Sequence, residues 1–335
     1  MASSKGTDKV LEKINESVES GNYYEAHQMY RTVCRRYAKQ KKYNDAINLL
    51  FPGVQILLKH MQSGSGSDLT LYMIDVYNEA ELQVSDESRD RIIQLLELFP
   101  PDEPGRKRVI DSAISWSTKF GENPAGDPKL HQFVAELLWK DKKYSDAEPH
   151  FLAGASDSSK LYGRMLVEWS EQDHPSKRGA YIARAVLQYL CLRSIRDAKI
   201  AFESFISEVC LKDPSLKAEN VPYRPTMTGD PVDVTTYRLP LLNFLQLLIL
   251  TVQREASDLF VTLRNKYKSV LSVEPMFEDL LNKIGETFFN IRALRPPQFN
   301  IFQDIMNSLL APPGGGSSSP AGTSHTRTNL QNDLL

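Results

Sequence analysis

Apolar residues recur along most of the chain with the period of an amphipathic helix. Ala26, Tyr30, Val33 and Tyr37 lie at steps of four, three and four residues, which places them on one helical face. Stripes of the same kind predict helices at 10–18, 69–82, 92–99, 109–116, 130–139, 161–169, 182–192, 198–209, 239–252, 259–270, 276–289 and 299–310. Strand-like alternation is confined to one segment, so the pattern predicts an all-α protein.

Short breakers separate these stripes. Glycine and proline disfavour a continuing helix, and asparagine and aspartate favour turns. We expect the chain to leave the helical conformation at Gly21-Asn22, Pro52-Gly53, Pro100-Pro101, 124–128 and 173–175.

The helices also carry a repeated step of tyrosine, any residue, an acid and alanine. The step occurs at Tyr23–Ala26, Tyr43–Ala46 and Tyr144–Ala147, with a weaker copy at Ile195–Ala198, and a large residue follows four positions later. The alanine lets a neighbouring helix approach closely, and the acid suits the positive end of the helix dipole. The spacing is irregular but resembles helical hairpins of the tetratricopeptide type. It predicts a right-handed α-solenoid of degenerate tetratricopeptide-like hairpins, an architecture that leaves long faces for binding.

Two segments depart from the helical pattern. Residues 212–238 contain four prolines, and extended pieces near 223–227 and 232–237 flank the turn-like sequence TGDP at 228–231. This segment predicts a non-helical, β-hairpin-like insertion, and such insertions in compact domains are more often functional than accidental. Residues 312–335 are rich in glycine and serine, and we expect a disordered tail there.

Composition excludes several classes of protein. The 335 residues carry a net charge of −2, so a general electrostatic attraction to nucleic acid or to an anionic membrane is not expected. The three cysteines are isolated in apolar stretches, which favours buried thiols over disulfides or a zinc site. The longest apolar run, 239–252, is too short for a membrane span, and the N-terminus lacks the apolar core of a secretory signal. We expect a cytosolic protein.

No catalytic motif is present. The chain lacks a phosphate-binding GxxxxGK[ST] loop, a GxGxxG turn, a CxxC pair and an HExxH helix. Its six histidines have no acidic or cysteine partner at the spacing of metal ligands. The sequence therefore predicts neither an enzyme nor a cofactor.

Charge is distributed unevenly near the N-terminus. Arg31, Arg35, Lys39 and Lys42 step along one helical face, which His27 and Tyr24 extend backward. Residues 68–103 then contain ten acids against two arginines, Arg89 and Arg91. A charge run is usually a solvated helix face, but ordinary surfaces mix the two signs, so this segregation makes a docking face for a charged partner an equal alternative. An RNA-binding face is a weaker alternative, because exposed aromatic residues are few and the acidic neighbour would repel phosphate.

Several stretches of sequence resemble the Golgi-to-ER traffic protein four family, in particular its fungal-type members. They are SGNYYEAHQMYRT at 20–32, GSGSDL at 64–69, GDPKLHQ at 126–132, LLNFLQLLIL at 241–250 and FNIFQDIMNSLL at 299–310. The resemblance runs from about residue 10 to residue 310. The order of these stretches and the identity of their residues, rather than any catalytic motif, identify the family.

The resemblance implies a non-enzymatic adaptor that helps to deliver tail-anchored membrane proteins to the endoplasmic reticulum. Residues 1–155 would dock on a dimeric targeting ATPase and favour its ATP-bound, client-ready state. Residues 156–311 would hold the N-terminal segment of a ubiquitin-like subunit, which recruits a tetratricopeptide co-chaperone. No cofactor, nucleic acid or membrane insertion is implied.

The resemblance also implies two sets of contact residues. The ATPase-docking residues would be Tyr24, His27, Arg31, Arg35 and Asp68, with Asp68 making a regulatory electrostatic contact. The contacts with the ubiquitin-like partner would lie in the insertion and on the apolar helix behind it, at Tyr223, Val232, Val234 and Tyr237, with Leu242 and Leu245 beneath.

Two other functions stay open on the sequence alone. Degenerate helical repeats also build scaffold subunits of proteasome-lid-like or RNA-processing assemblies. An enzyme with an unrecognised site would show itself as a cluster of perturbed titratable groups in a closed pocket.

Overall fold

The structure is a computed structural model that describes residues 2–223 and 232–292. The side chains of residues 2–9, 11, 222, 223, 232 and 233 lie outside that description. Fifteen α-helices and two β-strands make up the described part. The first nine helices are α1 Ala2–Glu19, α2 Tyr23–Lys39, α3 Tyr43–Lys59, α4 Ser63–Glu79, α5 Asp86–Glu97, α6 Pro104–Phe120, α7 Pro128–Lys140, α8 Tyr144–Leu152 and α9 Ser158–Ser170. They are followed by α10 Arg178–Cys191, α11 Ile195–Lys212, β1 Lys217–Tyr223, β2 Val232–Tyr237, α12 Pro240–Gln253, α13 Ser257–Lys266, α14 Lys268–Leu271 and α15 Met276–Phe289. The prediction of an all-α solenoid is confirmed.

Seven of the connections between successive helices use one recurring type of turn. After α2, the N–H of Lys41 bonds the carbonyl of Ala38 at 2.8 Å and the N–H of Lys42 bonds that of Tyr37 at 2.9 Å. This is the Schellman arrangement, in which one residue adopts a left-handed conformation and the last carbonyls of the helix are satisfied. The same pair of bonds and a positive φ recur at Gly21, Lys41, Met61, Glu81, Lys142, Arg193 and Glu255. A shared turn explains why neighbouring helices fold back as hairpins.

The predicted break at Pro52-Gly53 is wrong, because α3 continues through both residues. Proline removes one backbone donor and usually bends or ends a helix. Here the flanking residues Leu50 and Val54 are fully buried, so tertiary packing holds the helix together. Gly53 also admits the Tyr30 ring, since a Cβ at this position would lie 2.6 Å from Tyr30 Cε1.

The apolar core has two parts. One cluster of buried side chains runs from Ile14 to Val134 and the other from Ala135 to Ile284. Helix α7 contributes Leu130 and Val134 to the first cluster and Ala135 to the second, so it joins the two halves. The predicted division after residue 155 concerns partner binding and stays a prediction.

The predicted insertion is a β-hairpin in its described part. Strands β1 and β2 pair in antiparallel fashion, from Lys217 opposite Tyr237 to Tyr223 opposite Val232, with an irregularity between Lys217 and Asn220. The second predicted extended piece matches β2, but the first begins earlier than expected, at Lys217. The predicted turn at 228–231, the predicted helix at 299–310 and the predicted tail at 312–335 lie outside the described residues.

Two further expectations concern the cysteines and the longest apolar helix. Cys34, Cys191 and Cys210 are buried free thiols, as predicted. Within residues 2–223 and 232–292, no helix combines the length and the apolarity that crossing a membrane requires.

Candidate functional site

Helices α2 and α4 lie next to each other on one face of the N-terminal half. The contact follows from the hairpin repeat, in which α3 returns the chain and α4 again runs beside α2. The α2 stripe is basic and includes Arg31 and Arg35, whereas the facing α4 stripe includes Asp68, Asp75 and Glu79. The charged segments that are separate in sequence are therefore neighbours in space.

Asp68 connects the two stripes. Its Oδ2 lies 2.7 Å from His27 Nε2, and Arg31 Nη1 donates to both of its oxygens, at 2.5 Å for Oδ1. Burial alone would raise the pKa of Asp68, but the bonds from His27 and Arg31 outweigh it, so the pKa lies below its ordinary value. The carboxylate is therefore held in its ionised form by two residues of the facing helix.

Residues around this group fix its orientation. Gln28 Nε2 donates to His27 Nδ1 at 3.1 Å. Because the amide nitrogen only donates and the carboxylate only accepts, this pairing fits a neutral imidazole with its proton on Nε2. The Arg31 guanidinium lies 5.8 Å from the centroid of the Tyr72 ring, within the range of a cation–π contact.

The other predicted docking residues surround this centre. Tyr24 is 74% exposed, with its ring centroid 6.3 Å from that of His27, and it lines a shallow cleft with Gln62. Arg35 is exposed one turn beyond Arg31. Within the described residues no ion pair involves Arg35. Three of the five predicted residues thus touch one another, and the other two present free surface beside them.

Sequence reasoning missed Gln28 and Tyr72. A signal was available for Tyr72, which lies one helical turn after Asp68 and therefore shares its face. Gln28 follows His27 directly and gave no such signal, because its contact depends on a side-chain rotamer. The two residues orient His27 and Arg31 rather than adding charge.

Much of the acidic segment 68–103 is neutralised locally. Arg89 lies within ion-pair distance of Asp86, at 2.5 Å, and of Asp90, at 3.1 Å. Arg91 pairs with Glu87 at 2.5 Å. The acids that remain beside the basic stripe are Asp75 and Glu79, and burial, then the Glu79 charge, raise the pKa of Asp75.

The second predicted surface lies at the base of the β-hairpin. Tyr237 is buried, and its ring meets Phe202 edge-on, with centroids 6.4 Å apart. Asn243 on α12 bonds the Tyr237 backbone twice, from Nδ2 to the carbonyl at 2.7 Å and from the backbone N–H to Oδ1 at 2.8 Å. These two hydrogen bonds fix the base of the hairpin to α12.

The remaining predicted partner residues differ in accessibility. Leu242 and Leu245 are fully buried in the C-terminal core beneath the hairpin, so they support the surface and do not form it. Val234 is partly exposed. The backbones of Tyr223 and Val232 form the last described pair of the ladder, and their side chains lie outside the description.

Three exposed apolar side chains near this hairpin were not predicted. Leu211 at the end of α11 is 79% exposed, Val221 on β1 is 47% exposed, and Leu247 on α12 is 39% exposed. Leu247 lies one turn beyond Asn243, on the helix face that carries the hairpin. The sequence could not single it out, because α12 is apolar on nearly every face.

The possible metal ligands of the described residues are dispersed, and the cysteine thiols are buried. Among them, no three His, Cys, Asp or Glu side chains are grouped so that they could hold a metal ion. Burial raises the pKa of Cys34 and that of Cys191 to about 12, so both thiols are protonated and poor nucleophiles at neutral pH.

Comparison with known proteins gives a consistent result. The family model Golgi to ER traffic protein 4 matches residues 40–310. Golgi to ER traffic protein 4 of Aspergillus fumigatus is 35% identical over 338 residues, which cover 96% of this chain and 95% of the relative. The human Golgi to ER traffic protein 4 homolog is 32% identical over 95% of this chain and 90% of its own length.

A solved structure agrees with these relatives. The crystal structure of C. therm. Get4 superposes with a TM-score of 0.79 at 34% sequence identity, covering 94% of this chain and 99% of that one. The likeness therefore extends over both halves of the solenoid.

Proposed function

This chain belongs to the Golgi to ER traffic protein 4 family, and on that premise we propose that it is a non-enzymatic adaptor in Golgi-to-ER traffic. It acts in the cytosol, in the post-translational targeting of tail-anchored membrane proteins to the endoplasmic reticulum. It bridges a dimeric targeting ATPase and a ubiquitin-like subunit, which brings a tetratricopeptide co-chaperone with its client. Binding of the adaptor favours the ATP-bound, client-ready state of the ATPase.

The observation that carries this proposal is the charged face formed by α2 and α4. Arg31 and Arg35 lie on it with His27, and the exposed ring of Tyr24 is at its edge. Arginine and tyrosine are the side chains that most often dominate protein interfaces. Exposed cations that follow one helix face orient an acidic partner and raise its association rate.

The second surface supports a second, independent partner. In the C-terminal half, Leu211 at the end of α11, Val221 on β1 and Leu247 on α12 are exposed to solvent. Exposed apolar side chains next to a protruding hairpin suit the apolar face of a bound peptide segment. We assign this region to the N-terminal segment of the ubiquitin-like subunit, with Tyr223, Val232 and Val234 as contacts. The buried Tyr237, Leu242 and Leu245 support these contacts from beneath.

The experiment is a calorimetric titration of both partners with two charge-reversed variants. The double variant Arg31→Glu/Arg35→Glu should lose binding of the ATP-loaded ATPase and keep binding of the ubiquitin-like subunit. The double variant Lys107→Glu/Arg108→Glu changes the net charge equally at exposed positions of α6, and it should bind both partners normally. Raising the salt concentration should weaken ATPase binding by the unmodified protein.

Two results would contradict the assignment. Unchanged ATPase affinity in the Arg31/Arg35 variant would remove the docking face from α2. Loss of both partners in that variant, with its thermal unfolding unchanged, would mean that the two surfaces are not separate.

A further inference from the structure

Asp68 occupies the position in which an acidic partner would be expected to bind. A carboxylate recognised by this face would accept hydrogen bonds from Arg31 and His27, its most enclosed donors. In the free protein, both donors are already bonded to Asp68. The centre of the basic face is therefore neutralised from within the chain.

The exposed fractions of the three side chains show how the contact between Asp68 and its two donors can open. The side chains of Arg31 and Asp68 are 32% and 41% exposed, whereas that of His27 is 9% exposed. A partner can therefore reach the Arg31–Asp68 pair directly, and it reaches His27 only after Asp68 has moved. Part-exposed ion pairs of this kind contribute little net stability, so displacing one requires little free energy.

We propose that Asp68 is a built-in competitor, which holds His27 and Arg31 until a carboxylate of the docking partner displaces it. This inference rests on the proposed function, because it concerns the face assigned to ATPase docking. It adds the chemistry of the contact: the partner supplies an acidic side chain at the centre of its interface, and docking exchanges one carboxylate for another.

Neutralisation of Asp68 tests this inference. In Asp68→Asn the amide oxygen can still accept from His27, so the fold is preserved while the competing charge is lost. Asp75→Asn is the matched control, because it removes an equal charge from the same helix face but frees neither His27 nor Arg31. Asp68→Asn should bind the ATP-loaded ATPase about three- to tenfold more tightly, and Asp75→Asn should differ from the unmodified protein by less than about twofold.

A double-mutant cycle separates release of Arg31 from general electrostatics. When Arg31→Gln is already present, adding Asp68→Asn should tighten ATPase binding by no more than about half as much, on a logarithmic scale, as it does alone. The reason is that Arg31, the main donor that loss of the Asp68 charge would release, is then missing. Weaker binding by Asp68→Asn, or a gain equal to that of Asp75→Asn, overturns the competitor role and leaves the proposed function standing. Absence of binding by the unmodified protein and by Asp68→Asn alike overturns both.

Discussion

His131 and His150 form a hydrogen-bonded pair between α7 and α8 that should make stability depend on pH. Their Nδ1 atoms lie 2.9 Å apart, and His131 Nε2 is 2.9 Å from the carbonyl of Ala125. Because that carbonyl only accepts, His131 carries its proton on Nε2, and His150 donates from Nδ1. Both rings are therefore neutral in this arrangement, and protonation of His150 would place a cation against its neighbour.

The expected loss follows from the pKa values. Burial lowers the pKa of His131, and burial together with the proximity of His131 lowers the pKa of His150 to about 3. The unfolded chain, with a histidine pKa of about 6.5, binds more protons than the folded chain between these values. The stabilisation is therefore complete above about pH 6.5 and declines as the pH falls toward 3. At pH 5, about 1.5 units below the pKa of the unfolded chain, protonation of His150 in the unfolded state lowers the free energy of unfolding by about 2 kcal/mol.

Urea unfolding between pH 7.5 and pH 5 measures this loss, with two variants for comparison. His150→Gln keeps a donor for His131 but no longer titrates, so its unfolding free energy should fall by about 2 kcal/mol less than that of the unmodified protein. His174→Gln removes an exposed histidine and should follow the unmodified protein. If His150→Gln showed the full pH dependence, the loss of stability would not come from the His131–His150 pair, and the assignment of two neutral rings would be wrong.

Three substitutions probe the packing and the turns of the solenoid. Gly163→Ala should destabilise the protein by about 1–3 kcal/mol, because the new Cβ would lie 2.4 Å from the backbone oxygen of Ala201. Gly64→Ala is the control: open space surrounds Gly64, so this change should be neutral or stabilise the protein by up to about 1 kcal/mol. Met61→Gly should stabilise by about 0.5–1 kcal/mol, because Met61 has a φ of 59° and a side chain that is 73% exposed. Thermal unfolding measures all three. Equal effects of the two alanine substitutions would contradict the close packing at Gly163. A loss of stability in Met61→Gly would contradict the left-handed turn at that residue.

Much of the fold was predictable because it follows from local periodicity. The steps from Ala26 to Tyr37 place one face of α2 in the core, and the structure buries Ala26, Tyr30 and Val33. The prediction failed at Pro52-Gly53, where a local preference was overridden by the packing of Tyr30 against Gly53. A residue's own conformational preference cannot reveal a contact with a side chain 23 positions away in sequence.

The candidate site was predictable only in part, for a related reason. Spacing alone placed His27 and Arg31 on one face, because they are four residues apart on one helix. Their bonds to Asp68 span 41 and 37 residues and depend on how α2 and α4 are set against each other. The family resemblance suggested Asp68 as a contact for a partner, but not that this carboxylate is already engaged within the chain.

An adaptor must hold two different partners at two separate surfaces of one chain. Light scattering of the size-exclusion peak, with the ATP-loaded ATPase and the ubiquitin-like subunit both in excess, measures whether it does. A single complex whose mass contains all three proteins should form, and in Arg31→Glu/Arg35→Glu only the ATPase should be missing from it. Mutually exclusive binding, with two binary complexes and no ternary one, would contradict the adaptor function.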